Sequence, residues 1–304
     1  MRTPRCLAPL FLLLLGSPRA PGAAEPSVPD FKAEIVSGRV RFAQVLPWLD
    51  TDEPNLQRLL LEAALQRDDW KRDAVEWLRA CQVRPEAGDE RERHLTGVLQ
   101  TFAGVETIQQ LVTQTLTRPN VERRVRVQLL QCLGRARLDT LPEAWLSALE
   151  KLLADDDAVM HEAVYTVKAR GVERCDAALR AIAQHADHPA AVRIAALECV
   201  APRQRGWEPE AFALLRRQLS TKQPATMQAA AARTLGAGRL SAAQLSQLTA
   251  DWPRLPGGIV ALLLPAYSRS KDEATGLAVV AALEQLPVST LSLGELDRAL
   301  AGYP

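Results

Sequence analysis

The 304 residues carry a formal net charge of +1, and aromatic residues make up only 5% of a chain that is 47% hydrophobic. The apolar mass is therefore mostly Ala, Leu and Val, a mixture that favours close-packed helices over sheets. Removing residues 1–24, which hold three arginines and no acidic residue, takes the net charge from +1 to −2. That is too little cationic excess for non-specific nucleic-acid binding, so no nucleic-acid partner is expected.

Residues 1–24 have the parts of an export signal peptide. Arg2 and Arg5 precede an apolar stretch over residues 6–15 that Pro9 interrupts, and Gly22, Ala23 and Ala24 supply small residues for cleavage after Ala24. The stretch is shorter than the roughly 20 residues of a membrane span, so no stable span is expected after signal cleavage. Cys6 lies on the wrong side of the apolar run for lipid attachment. A periplasmic or secreted chain is the expectation. Residues 25–119 then read as an N-terminal cap and irregular helical repeats. A tail over 25–30 leads to a cap over 31–49 built on Phe31, Ile35, Phe42, Val45 and Trp48. A helix pair follows over 56–65 and 70–78, then a polar connection over 84–92 and helices over 94–102 and 105–116.

From residue 120 to 304 one pattern recurs. Val125, Leu129 and Leu133 are echoed by Val159, Ala163 and Val167, by Val192, Ala196 and Val200, and by Met227, Ala231 and Leu235. Spacing of i, i+4, i+8 puts each triplet on one helix stripe. Their first residues lie 34, 33 and 35 positions apart, and Val260 and Leu264 continue the series until Ser268 weakens it. Turn or cap residues precede each triplet: Pro119-Asn120, Asp155-Asp156-Asp157, His188-Pro189 and Gln223-Pro224. Partner helices are expected from Pro142 through Leu152, over 175–186, from Pro209 through Leu219, and from near Ser241 and Asp272. Leu255-Pro256-Gly257-Gly258 reads as a turn, residues 286–292 as another connection, and 293–300 as a last helix. A repeat of about 34 residues holding two helices predicts an all-α fold, a right-handed α-solenoid of paired antiparallel helices of the HEAT/armadillo-like kind.

Residues able to carry chemistry fall mostly into structural roles. His185 and His188 have a ligand-like spacing, but His188 precedes Pro189 and no third ligand stands nearby in sequence. His94 and His161 are isolated. Asp155-Asp156-Asp157 lacks the alternating oxygens, glycine and final glutamate of a calcium loop, and like Asp68-Asp69 it reads as a helix start. Cys81, Cys132, Cys175 and Cys199 are separated by 51, 43 and 24 residues with no Cys-x-x-Cys pair. Buried free thiols are expected, with export leaving a disulfide open. Pairing Cys132 or Cys199 with His161 as nucleophile and base would be arbitrary. The run Glu122-Arg123-Arg124-Val125-Arg126 reads as a solvated helix side. The six tryptophans, Trp48, Trp70, Trp77, Trp145, Trp207 and Trp252, read as packing between helix pairs, with anchoring of a protein partner the alternative. The sequence contains no nucleophile-elbow, zinc-helix or phosphate-loop motif. No catalytic, cofactor-binding or metal residue and no cofactor is therefore expected, and the protein-binding residues are unknown.

As an ordered set, residues 231–236, 239–245, 262–267 and 273–277 resemble the helical linker region of large exported planctomycete and verrucomicrobial proteins. Those proteins join a membrane-bound dehydrogenase propeller to a c-type haem-binding domain, and the resemblance covers roughly the last 185 residues. It implies a parent architecture for periplasmic redox chemistry. The chain departs from it where chemistry should begin: there is no Cys-x-x-Cys-His sequence for covalent haem and no room for a propeller before residue 120. The expected function is thus an exported, non-catalytic helical-repeat scaffold or protein-interaction module bound to a protein partner or neighbouring domain. The alternative is a fragment of a multidomain periplasmic redox protein.

Overall fold

The computed structural model describes residues 28–83, 88–154, 158–285 and 291–303, and among these residues there are helices and no strand. The leading helices are α1 (Val28–Val36), α2 (Phe42–Val45), α3 (Pro54–Gln66), α4 (Asp68–Val83), α5 (Asp89–Thr101) and α6 (Glu106–Thr117). They are followed by α7 (Arg123–Arg135), α8 (Glu143–Ala154), α9 (Ala158–Arg170), α10 (Asp176–Gln184), α11 (Ala190–Val200) and α12 (Pro209–Gln218). The chain continues through α13 (Ala225–Ala237), α14 (Ala242–Thr249), α15 (Gly257–Tyr267), α16 (Glu273–Leu283) and α17 (Leu293–Leu300). The proposed export signal and the aspartates at 155–157 lie outside the described residues. Among the described residues no helix is long and apolar enough to cross a membrane.

Each helix has one apolar stripe, and one stripe cannot be buried alone. The odd-numbered helices pack in succession from α1 to α17, and the even-numbered helices form a second row against them. The result is a helical-repeat arrangement of packed pairs around one continuous apolar core. The triplets form that core: Leu133, Val159, Ala163, Val167, Ala196, Val200, Ala231, Leu235 and Val260 are all fully buried. The series loosens at two positions, with Met227 half-buried and Ser268 exposed.

Two further devices each join residues about one repeat apart. Arg170, at the end of α9, donates from its two terminal nitrogens to the carbonyls of Ala136 and Leu138, just past the end of α7. Arg269 donates from Nη1 alone to the Gly236 and Gly238 carbonyls at the end of α13, at 2.9 and 2.7 Å, and Arg67 from both terminal nitrogens to Gly38 and Val40 at 3.0 and 3.2 Å. These carbonyls have no partner inside their own helix, so a guanidinium from the next unit satisfies them and ties neighbouring units together. In the second row, buried Trp145 donates its indole N–H to the Gln109 carbonyl at 3.2 Å, and Trp70 to the Val40 carbonyl at 3.1 Å.

Between α7 and α13 the inner helices lie alongside one another. Gln131 reaches Glu162 at 3.4 Å, Lys168 reaches Glu198 at 2.5 Å, and Arg233 reaches Glu198 at 3.2 Å, a ladder of partners about one repeat apart. Gly236 carries the closest approach, because a Cβ there would collide with the Leu262 carbonyl oxygen of α15. The α5–α7 contact differs. The Glu92 carboxylate pairs with Arg135 at 2.5 Å, while Gln100 accepts from the Arg137 backbone N–H at 2.8 Å. Eight residues of helix span about 12 Å, yet both ends of that span meet a three-residue stretch, so α5 crosses the end of α7.

Three expectations need correction. The connection placed at 84–92 is shorter, because α5 begins at Asp89, with Asp89, Glu90 and Glu92 favourably placed in its first turn. Gly257 and Gly258 are not a turn but the first two residues of α15; the turn stops at Pro256, whose ring suits the position before a helix. Asn120 does not cap α7, whose N-cap is Glu122 without a side-chain cap bond. Caps do occur where Ser241 and Asp272 were expected to open helices, donated to by Gln244 N–H and Thr275 N–H.

Candidate functional site: the clefts beside α12

The residues singled out for chemistry do not converge on a reactive centre. Among the described residues Cys132, Cys175 and Cys199 carry free thiols. Burial pushes the Cys132 and Cys175 thiols up to about 11 and Cys199 to about 12, the opposite of an activated nucleophile. Asp68 and Asp69 open α4 as expected: Asp68 pairs with Lys71 at 2.8 Å, and Asp69 grips the Arg67 guanidinium at 2.6 and 2.8 Å. Four tryptophans, Trp70, Trp145, Trp207 and Trp252, are buried, which makes them packing residues. Trp48 stacks on Phe31 with ring centroids 5.2 Å apart.

His161 is not isolated. It comes from α9 to stand edge-on to His188 at 6.3 Å between ring centroids, and His188 lies 4.8 Å from His185. The third histidine near the pair was hidden in sequence because it arrives from the previous unit, 27 positions away from His188. Even so, no group of three or more possible ligands among the described residues could hold a metal ion.

A second polar cluster lies where α5 crosses α7. Asp50, Asp89, Glu92, Arg93, Thr96, Arg135 and Arg137 line a recess of about 310 Å³. Its charges are largely mutually satisfied, with Arg135 on Glu92 and Arg137 on Asp52. Burial raises the Asp50 carboxyl above its ordinary value, opposed by Arg137. This recess joins two helices and leaves little charge over for a ligand.

Two clefts flank α12. Neighbouring even-numbered helices touch along most of the second row, but the contact between α12 and α14 is sparser than that of the other neighbouring pairs. A cleft of about 770 Å³ separates them, lined on one side by Pro209, Phe212, Arg216 and Arg217 and on the other by Gln247, Asp251 and Arg254. In place of apolar contact, a polar bridge spans it. Arg216 donates to both Asp251 oxygens, at 2.6 and 3.0 Å, and to Gln247 Oε1 at 3.1 Å. The Asp251 carboxylate holds the Arg216 guanidinium above its usual range. On the other side of α12 a second cleft of about 930 Å³ is lined by Arg180, Arg193, Arg203, Arg205, Trp207 and Glu208, among others.

The gap has a local cause. Trp207, in the connection before α12, packs its indole on Gly238, and Gln244 of α14 donates to the Trp207 carbonyl at 3.0 Å. Buried Trp252 and Tyr267, T-shaped at 5.0 Å, fill the space behind α14. These residues fasten both ends of the gap and leave its middle open. The sequence did not reveal it, because the same arginines could equally have been a solvated helix face. No protein-family model, no curated protein and no solved structure matches the chain.

Proposed function

We propose that the chain is an exported helical-repeat scaffold, a right-handed HEAT/armadillo-like α-solenoid that presents an extended surface to a protein partner or neighbouring domain. The observation that supports it best is α12 standing between two open clefts in an otherwise closely packed second row. Repeat stacks make rigid, extended surfaces from such rows, and the open helix is where a partner gains most contact. The neutralised thiols and internally paired carboxylates favour binding over catalysis.

Two measurements test the reading. A photocrosslinking residue placed at exposed Ala213 on α12 should capture one reproducible partner from the native compartment, and a probe at exposed Leu277 on α16 should not. Equal or absent capture at both positions would remove the scaffold reading. For export, mass spectrometry of the mature chain should find Glu25 as its first residue, and retention of Met1 would overturn that part.

A further inference from the structure

We propose that the cleft between α12 and α14 binds an acidic peptide segment of the partner, with one bulky apolar side chain seated against Pro209, Ala213 and Leu255, the accessible apolar residues of its lining, and its flanking carboxylates on Arg217 and Arg254. This rests on the scaffold reading and adds the chemistry of the ligand.

Charge carries the choice of occupant. Three arginines and one aspartate line the cleft, a local excess of two positive charges in a chain of net charge +1. Asp251 is already taken by both arms of the Arg216 guanidinium. Arg217 and Arg254 are exposed, and their guanidinium groups make no ion pair or hydrogen bond among the described residues. Several other arginines of this protein are taken up by nearby carboxylates: Arg67 by Asp69, Arg135 by Glu92, Arg174 by Glu143 and Glu150, Arg203 by Asp176. The nearest spare carboxylates on α12 and before it, Glu210 and Glu208, line the other cleft. Two unspent guanidinium forks thus face an opening whose walls also present apolar side chains. A guanidinium matches a carboxylate with two parallel N–H···O bonds, and an apolar wall selects a side chain between them. A volume of about 770 Å³ is in the range that holds a few side chains. A nucleic acid would need a broad basic footprint, and in the neighbouring cleft Arg180 and Arg203 are already paired with Asp176 while Arg193 donates to the Ala183 carbonyl.

The test is fluorescence anisotropy on the full chain with a fluorescein-labelled peptide of sequence Glu-Asp-Leu-Phe-Asp-Glu. Saturable binding is expected. It should weaken by about tenfold or more in the double variant Arg217→Glu, Arg254→Glu, and similarly for wild type when the peptide carboxylates are replaced by amides. A Lys-Lys-Leu-Phe-Lys-Lys peptide should in turn bind the double variant better than wild type, a reversal that loss of folding cannot produce. Arg205→Glu, in the neighbouring cleft, should leave the affinity unchanged. Failure of the acidic peptide to bind wild type, or binding indifferent to the double variant, would overturn the proposal. So would complete displacement by succinate, marking a small-carboxylate site, or by a duplex oligonucleotide, marking a nucleic-acid surface. If the peptide fails while crosslinking from Ala213 still captures a partner, the cleft chemistry falls and the scaffold reading stands.

Discussion

From α6 to α16 the same helix pair recurs, interrupted at the cleft beside α12, whereas α1 to α5 reach the same two-row plan by contacts of their own. In the regular part, apolar triplets recur about one repeat apart, and a charged ladder through Gln131, Glu162, Lys168, Glu198 and Arg233 and the ties of Arg170 and Arg269 join residues about one repeat apart. In the leading part, aromatic contacts do more of the joining. Phe31 stacks on Trp48, Phe42 meets Phe102 edge-on at 6.0 Å, and Arg67 lies 4.9 Å over the Trp70 ring. Arg67 nevertheless ties two carbonyls just as Arg170 does, and Trp70 donates to the preceding unit just as Trp145 does. The leading part is thus a variant of the same unit, bent where α5 crosses α7. A small cavity of about 20 Å³, lined by Leu78, Cys81, Leu95, Leu111 and Leu129 among others, marks that junction.

The largest expected effect separates the two parts directly. Trp70→Ala and Trp145→Ala each remove a fully buried indole and its hydrogen bond to the previous unit. Each should cost about 3–5 kcal/mol. In a repeat array, stability is held by neighbouring interfaces, so the loss need not spread evenly. Calorimetry of Trp70→Ala should show an early transition for the leading part ahead of an unchanged main one, while Trp145→Ala should lower the main transition itself. A single transition displaced equally by both variants would show that the two parts unfold as one.

Gly236→Ala should come next, at about 3 kcal/mol measured by urea unfolding, since the new methyl meets the Leu262 backbone and cannot be accommodated by a side-chain rotation. Gly97→Ala is the matching change in the leading part, where the methyl would stand 2.6 Å from Leu49 Cβ and 2.8 Å from the Asp50 backbone nitrogen. Because the cap is less constrained by neighbours, Gly97→Ala should cost less than Gly236→Ala. The reverse order would place the tighter interface in the cap. Arg170→Met should cost about 2 kcal/mol, since the carbonyls of Ala136 and Leu138 lose a donor that the methionine cannot replace. A loss below about 0.5 kcal/mol would mean that water serves these carbonyls equally well.

The same division governs what could be read from sequence. Val125, Val159 and Val192 and the residues one and two turns after them stood out because a stripe repeated at a fixed interval is unlike chance, and each lies in the core. The crossing of α5 over α7 left no such trace, since Glu92, Arg135, Gln100 and Arg137 are polar residues that look like any solvated face. The arginine ties were illegible for a related reason. Arg170 acts through its length and fork on backbone carbonyls of another unit, and a carbonyl has no letter in the sequence. His161 beside His188 and the open side of α12 depend on which unit neighbours which, information that a linear spacing does not contain. Capping was partly legible: Ser241 and Asp272 carry the side chains a helix start uses, while Asn120 carried one and is not used.

The smallest effect tests whether the leading tie depends on its acidic partner. The Arg67 guanidinium beside Asp69 holds that carboxyl down at about 2, against an ordinary value of 3.8. Folding therefore favours the ionised form, and its contribution is complete above about pH 4 and lost as the pH falls through about 2. The Asp69 side chain is 45% exposed, so solvent screening limits the contribution to below about 1 kcal/mol. Asp69→Asn should accordingly be slightly less stable than wild type at neutral pH, with the difference in urea midpoint closing between about pH 4 and pH 2. Arg170 in the regular part makes its two carbonyl contacts with no carboxylate in the tie. The stability difference between wild type and Arg170→Met should therefore stay flat over the same acid range. A flat Asp69→Asn difference, or one that widens with acid, would show that Arg67 is held by the Gly38 and Val40 carbonyls and the Trp70 ring alone, making the leading tie the same device as the regular one.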